Sequence, residues 1–157
     1  MMHNKENVWN YPRPAIYEYH KGTIEVNHNN QILAKTKKGI RILETSHPPT
    51  YYFPLSDVVT SKLKKNKTKT FCEWKGIAEY YNYDYGNELI ENVAWYYPNP
   101  NPDFLAIRRY VSFYSSKFNK CLVNNCLVLN QPGDFYGGWI TSDLIGPFKG
   151  TKGTEEW

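Results

Sequence analysis

The sequence lacks the motifs of the common enzyme classes. It has no G-x-x-x-x-G-K-[ST], no G-x-G-x-x-G after a predicted strand, no H-E-x-x-H, no EF-hand loop and no G-x-S-x-G. These absences exclude a P-loop enzyme, a zinc protease of the H-E-x-x-H type and an α/β-hydrolase. No two cysteines form a C-x-x-C pair, so we expect no structural zinc. We also expect no other metal and no cofactor.

Cysteines and long apolar segments are also scarce. The three cysteines, Cys72, Cys121 and Cys126, are an odd number, which is typical of a reduced, cytoplasmic protein. No apolar run approaches the ~18–20 residues of a membrane span. The polar N-terminus has no apolar core of the kind found in a secretory signal. We therefore expect a cytoplasmic protein without a membrane segment.

Aromatic residues are abundant instead. They make up 17% of the 157 residues, with 14 tyrosines and five tryptophans, and such a composition favours strands. The length predicts one domain. We place a globular domain at residues 23–157 and an arm that packs on it at residues 1–22, because Trp9, Tyr11 and Tyr17 interrupt an otherwise polar segment.

Alternating apolar and polar residues predict antiparallel strands. Residues 23–36 predict a hairpin whose turn is formed by His28, Asn29 and Asn30. Residues 68–85 and 89–97 predict a second strand pair. Two short helices are predicted, one at residues 55–63 and one that begins at Asn101 and Pro102. The fold class is therefore mainly antiparallel β with two short helices.

Positive charge is concentrated in one segment. The net charge is +4, and residues 61–70 contain five lysines and no acidic residue. Such a run can follow a phosphate backbone, but most charge runs are simply solvated. Both interpretations stay open, and nucleic acid is not the expected partner.

Two basic residues, His47 and Lys75, have sequence neighbours that suit catalysis or anion binding. His47 precedes two prolines, which hold its backbone extended, and a rigid imidazole suits acid–base work or anion binding. Lys75 lies between Trp74 and Gly76, where it can make cation–π contacts and bind an anion. Partial burial would lower the pKa of Lys75 and suit a nucleophilic amine. In the alternative interpretation, His47 caps a turn and Lys75 lies over a ring with its ammonium in water.

Glycines alternate with large rings in residues 131–157, as expected for the wall of a pocket or for a tight core edge. We favour a pocket for a small anionic or planar ligand, with His47 and Lys75 as the catalytic candidates. The other candidate ligand-binding residues are Arg41, Tyr52, Trp74, Tyr97, Tyr136, Trp139 and Lys149. The alternative is a nucleic-acid or protein-interaction module that uses the 61–70 lysines and exposed aromatics.

Several long motifs resemble a known family. They are LETSHPPTYYFP at 43–54, FCEWKGIAEYY at 71–81, ENVAWYYPNP at 91–100, PGDFYGGWIT at 132–141 and GPFKGTKGTEEW at 146–157. The chain resembles the family catalogued as domain of unknown function 427, whose members are sometimes labelled nucleotidyltransferase-like. The resemblance implies a β-tent-like fold, in which antiparallel sheets pack at an angle. No D-x-D pair is present to hold the magnesium of a nucleotidyltransferase.

Overall fold

A computed structural model describes residues 5–157 of the chain. The first four residues of the predicted arm lie outside the described residues. The strands are, in chain order, β1 (Glu6–Asn7), β2 (Ile16–Tyr19), β3 (Ile24–His28), β4 (Gln31–Thr36), β5 (Ile40–Leu43), β6 (Thr50–Pro54), β7 (Leu63–Cys72), β8 (Gly76–Asp84), β9 (Leu89–Tyr96), β10 (Tyr110–Phe113), β11 (Lys120–Val123), β12 (Cys126–Leu127), β13 (Leu129–Asn130), β14 (Trp139–Ile140) and β15 (Leu144–Ile145).

The strands form two main sheets, and the fold is mainly β, as predicted. The larger sheet has the strand order β2-β5-β6-β10-β9-β8-β7, and the smaller has the order β12-β11-β3-β4; all neighbours in both are antiparallel. Two short pairs complete the fold: β1 with β15 is parallel, and β13 with β14 is antiparallel. The segment predicted as an arm contributes β2, an edge strand of the larger sheet.

The predicted hairpin at residues 23–36 is confirmed. β3 and β4 pair through a turn in which Asn29 and Asn30 both have positive φ, 50° and 63°. Asparagine tolerates this conformation, which gives the two-residue turn a twist that matches the flanking strands. The predicted pairing of residues 68–85 with 89–97 is confirmed between β8 and β9, but residues 68–85 do not form one strand. They form β7 and β8, which pair with each other through a turn at 73–75.

Two apolar clusters lie on opposite faces of the larger sheet. Alternation along β6 shows the division, because Tyr51 and Phe53 enter one cluster and Tyr52 enters the other. The first cluster is shared with the smaller sheet through residues such as Ile24 and Cys121. The second cluster lies beneath the pocket described below.

The prediction of two short helices was wrong. Helical structure in the described residues is confined to short 3-10 segments: Val8–Asn10, Leu55–Asp57, Pro102–Ile107 and Ser115–Lys117. The first predicted helix stops at Asp57 because Val58 bridges Ala34 and the Val59 amide donates to the Leu33 carbonyl, 2.8 Å away. β-branched residues accept such strand-like pairing readily. Ser56 is a residue type that can cap a helix, but tertiary pairing overrides that local signal.

Strand β7 forms a long outer edge of the larger sheet. Its side chains Lys64, Lys65, Lys67 and Lys69 are exposed. Charged side chains on an outer strand discourage pairing with another chain, so the lysine-rich segment has a structural explanation. Within residues 5–157, no helix is long and apolar enough to cross a membrane.

Candidate functional site

A pocket of about 330 Å³ opens on the face of the larger sheet that carries the second apolar cluster. Three segments meet there: the loop after β5, the turn between β7 and β8, and the C-terminal segment. Its wall is largely aromatic and includes Trp74, Tyr80, Trp95, Tyr97, Tyr114, Phe135 and Tyr136. The volume lies within the usual range for small-molecule sites.

The loop after β5 supplies Glu44 and His47. A tight turn joins them, in which the His47 amide donates to the Glu44 carbonyl at 3.0 Å. Ser46 within this turn is fully buried with φ at +74°, an uncommon conformation for a non-glycine residue. Neighbouring chain holds it in place: the Ser46 amide donates to the Val8 carbonyl, and the Ser46 carbonyl accepts from the Lys149 amide. Strain of this kind tends to concentrate at functional sites.

Gln131 ties the imidazole to the C-terminal segment. Its side chain is almost fully buried; its amide nitrogen lies 3.0 Å from His47 Nδ1, and its amide oxygen accepts from the Gly138 amide at 2.9 Å. A Cβ atom at Gly138 would lie 2.5 Å from the Pro48 carbonyl oxygen and 2.6 Å from the Gln131 oxygen. Glycine is therefore required there, because it lets the two segments approach closely.

The turn between β7 and β8 presents Lys75, which is only 9% exposed. Its Nζ lies 5.7 Å from the centre of the Tyr97 ring, and within residues 5–157 it has no carboxylate partner within 4.0 Å. Burial by itself lowers the pKa of this ammonium. The Tyr52 hydroxyl, the Cys72 thiol and the Glu44 carboxylate outweigh burial and raise the pKa of the lysine above its ordinary value.

The direction of this pKa shift corrects the expectation of a lowered value. A raised pKa favours the protonated ammonium, whereas a nucleophilic lysine needs the free amine. The cation–π contact predicted for Lys75 is present, but with Tyr97 and not with its neighbour Trp74. Trp74 instead directs its Nε1 at Glu44 Oε2, 3.3 Å away.

The rim of the pocket carries a second cation–π pair. Lys149 Nζ lies 5.3 Å from the centre of the Tyr136 ring and 3.5 Å from the main-chain oxygen of Trp157. The His47 ring meets the same Tyr136 edge to face, with ring centres 4.7 Å apart. Tyr136 thus links the rim to the imidazole.

The structure brings together six of the nine predicted site residues. The residues that line the pocket are His47, Trp74, Lys75, Tyr97, Tyr136 and Lys149. Tyr52 lies beneath it, fully buried, and its hydroxyl makes no hydrogen bond of normal geometry. It is still close enough to influence the pKa values of Lys75 and Tyr97.

Arg41 and Trp139 lie elsewhere. Arg41 forms an ion pair with Glu6 at 3.0 Å and another with Glu18 at 2.5 Å, beside a separate cavity of about 500 Å³. Trp139 is fully buried in the core shared by the two sheets, where its Nε1 donates to the Phe113 carbonyl at 3.0 Å. Neither side chain reaches the pocket, because strand alternation directs both away from it.

The sequence interpretation missed two polar residues of the site. They are Glu44 and Gln131. A signal existed for Glu44, since it precedes the rigid His47-Pro48 step. Gln131 had none, because its partners are 7, 18 and 84 residues away along the chain. Among residues 5–157, no cluster of His, Cys, Asp and Glu is arranged to hold a metal ion.

The sequence matches the family described as Domain of unknown function (DUF427) over residues 16–124. This range covers more than half of the chain, so the protein belongs to that family. The matched residues include Glu44, His47 and Lys75, whereas Gln131 and Lys149 lie beyond them. No curated protein matches the chain.

Proposed function

We propose that this protein binds a small anionic or planar molecule in the pocket around Lys75. The observation that carries the proposal is the position of that lysine: its side chain is buried, has no carboxylate partner within 4.0 Å among residues 5–157 and lines a cavity. Burial of an ammonium without a counter-charge costs several kcal/mol. An anion in the cavity offsets that cost.

The walls suit a flat body attached to the anion. Trp74, Tyr97 and Tyr136 line the cavity from different segments, and ring faces bind planar groups by stacking. Lys149 at the rim adds a second positive charge. The combination of one buried cation, one rim cation and aromatic walls favours an anion with a flat apolar part.

Replacing Lys75 with methionine tests this proposal. We expect nucleotides, sugar phosphates and aromatic carboxylates to include a compound that stabilises the wild type, by ~2.7 kcal/mol at about 100 times its Kd. Lys75→Met keeps the length of the side chain and removes the charge, so it should abolish this stabilisation while the protein still folds. Thermal unfolding with and without each compound measures both effects.

The matched control replaces exposed cations on the same strand pair. A Lys64→Gln, Lys65→Gln, Lys67→Gln variant loses three charges outside the pocket and should keep the full response to the ligand. An anion that stabilises Lys75→Met as strongly as the wild type would contradict the proposal.

The alternative proposal is a nucleic-acid or protein-interaction module based on the β7 lysines. Those side chains are exposed, which favours it, but Lys65 lies over the Tyr96 ring at 5.5 Å and Lys62 lies over Tyr85 at 5.8 Å. Tyr97 and Tyr136 in the pocket each carry a lysine in the same way, so these contacts do not by themselves decide between the two proposals. In this case the triple glutamine variant would lose binding, with a steep dependence on salt.

We also propose how the two main sheets are arranged and in which compartment the protein acts. The two main sheets meet at an angle in the β-tent-like manner that the resemblance implies, and the protein acts in the cytoplasm without a metal. The free thiols of Cys72, Cys121 and Cys126 support a reducing compartment. The shared apolar cluster between the sheets supports the fold.

A further inference from the structure

The hydrogen bonds of Gln131 determine which nitrogen of His47 carries the proton. The Gly138 amide can only donate, so the side-chain atom that it meets at 2.9 Å must be the Gln131 oxygen. The amide nitrogen of Gln131 then faces the Lys149 carbonyl at 2.9 Å and His47 Nδ1 at 3.0 Å. Because an amide nitrogen only donates, Nδ1 is the acceptor, and the imidazole carries its proton on Nε2.

The imidazole stays neutral at physiological pH. Burial lowers the pKa of His47 to about 4; Glu44 opposes this shift, and the charges of Lys149, Lys75 and Arg13 reinforce it. His47 therefore acts as a hydrogen-bond donor through Nε2–H and is not a general base. This changes the role that the sequence suggested for it.

Glu44 is the carboxylate beside that donor. Its Oε2 lies 3.7 Å from His47 Nε2, too far for a good hydrogen bond, and accepts only a long bond from Trp74 Nε1. The Nε2–H group and a carboxylate lone pair are thus both free to meet a ligand in the cavity. Glu44 also raises the pKa of Lys75, and both groups influence the pKa of His47. The carboxylate, the ammonium and the imidazole are therefore close enough to interact electrostatically.

We infer that the pocket takes a planar 2-oxo acid and that Glu44 removes a proton from the carbon next to its ketone. This inference rests on the proposed ligand pocket and adds the substrate class and the chemistry. The Lys75 ammonium binds the carboxylate of the acid, and His47 Nε2–H donates to the ketone oxygen. Each group thereby meets a partner that suits its charge.

The proton transfer balances without any further reagent. The C–H bond breaks, the proton goes to a Glu44 oxygen, and its electron pair forms the C=C bond while the ketone oxygen gains the negative charge. Protonated Glu44 then returns the proton to that oxygen, which gives the enol. The reverse sequence places a solvent-derived hydrogen on carbon.

A monoanion fits this site better than a phosphate dianion. Two ammonium groups line the cavity, Lys75 within it and Lys149 at its rim, and the Glu44 carboxylate offsets part of their charge and opposes additional negative charge. A 2-oxo acid carries a ketone and a carboxylate, which match the N–H donor and the ammonium that line the same cavity. The aromatic wall then accommodates a flat side group.

Deuterium exchange into phenylpyruvate tests the chemistry. In D₂O, we expect the wild type to speed the loss of the C3 proton signal above the buffer rate, as followed by ¹H NMR. Glu44→Gln should lower the protein-dependent rate by about 100-fold or more. Glu91→Gln removes an exposed carboxylate outside the pocket and should leave the rate unchanged. Equal rates for Glu44→Gln and the wild type would overturn the inference.

Gln131 is a positioning residue, and its test has a readout that does not need a ligand. In Gln131→Glu the new carboxylate accepts from Nδ1–H, so His47 should become an imidazolium at neutral pH. ¹⁵N NMR of the imidazole should show the Nε2–H tautomer in the wild type and two protonated nitrogens in the variant. An Nδ1–H tautomer in the wild type would overturn the inferred role of His47.

The outcomes separate this inference from the proposed function. If phenylpyruvate stabilises the wild type through Lys75 but exchanges only at the buffer rate, the chemistry is refuted and the ligand pocket stands. If other anions bind through Lys75 and phenylpyruvate does not, the 2-oxo acid is the wrong substrate class. If no anion binds through Lys75, both proposals fail.

Discussion

Replacing Gly150 with alanine is expected to lower the free energy of unfolding by about 4 kcal/mol. Gly150 has φ at +143°, and a Cβ atom there would lie 1.8 Å from the Pro132 carbonyl oxygen. The obstacle is main chain, so no side-chain rotation relieves the clash, and the two segments must separate. Urea unfolding followed by tryptophan fluorescence measures the loss.

Gly150→Ala should also disrupt the candidate binding site. Gly150 follows Lys149, and Pro132 follows Gln131, so separating the two segments breaks the Gln131–Lys149 hydrogen bond that supports His47. The folded fraction of Gly150→Ala should therefore respond weakly to ligand.

Gly153→Ala is the matched control. Gly153 also has a positive φ, +95°, but no atom lies within 4 Å of a Cβ placed there. Only the conformational cost remains, about 1–2 kcal/mol. If both variants lose the same free energy of unfolding, the close approach of Gly150 to Pro132 adds nothing to the cost of the substitution.

Local patterns were sufficient for much of the fold. The Asn29-Asn30 turn can be predicted from the sequence because few other residues adopt positive φ at low cost. The helix predicted at residues 55–63 was wrong because the competing partner, Leu33 on β4, is remote in sequence. Capping signals act within a few residues, so they cannot reveal such a partner.

The pocket was predictable in part for a similar reason. Lys75 and His47 were identified because their neighbours in sequence are distinctive. Trp74 and Gly76 flank Lys75, and two prolines follow His47. Trp139 could not be assigned by composition, since a buried core tryptophan and a pocket tryptophan have the same local surroundings in sequence. Arg41 pairs with Glu18 through the register of β2 and β5, and no local pattern shows that register.

Gln131 shows where sequence reasoning ends. An isolated glutamine has no motif, and its importance arises from three partners in separate segments. From the same geometry we infer that His47 is a neutral donor, where the sequence suggested an acid–base group. The chemistry of the pocket therefore follows from the tertiary hydrogen bonds and not from the residue types.

The stability of this protein should fall steeply in mild acid because of His47. Its pKa is about 4 in the folded protein and 6.5 when unperturbed, so the unfolded chain binds the proton more tightly. The neutral imidazole contributes its full stabilisation above pH 6.5 and loses it as the pH falls towards 4. The expected loss across this window is about 3 kcal/mol.

His47→Gln isolates this contribution from the other histidines. Burial also lowers the pKa values of His20 and His28, so the wild type alone mixes three titrations. The difference in unfolding free energy between wild type and His47→Gln should be constant above pH 7 and should shift against the wild type between pH 6.5 and 4. Parallel curves through that window would mean that the folded protein protonates His47 freely. That result would contradict the neutral Nε2–H donor on which the proton-transfer site depends.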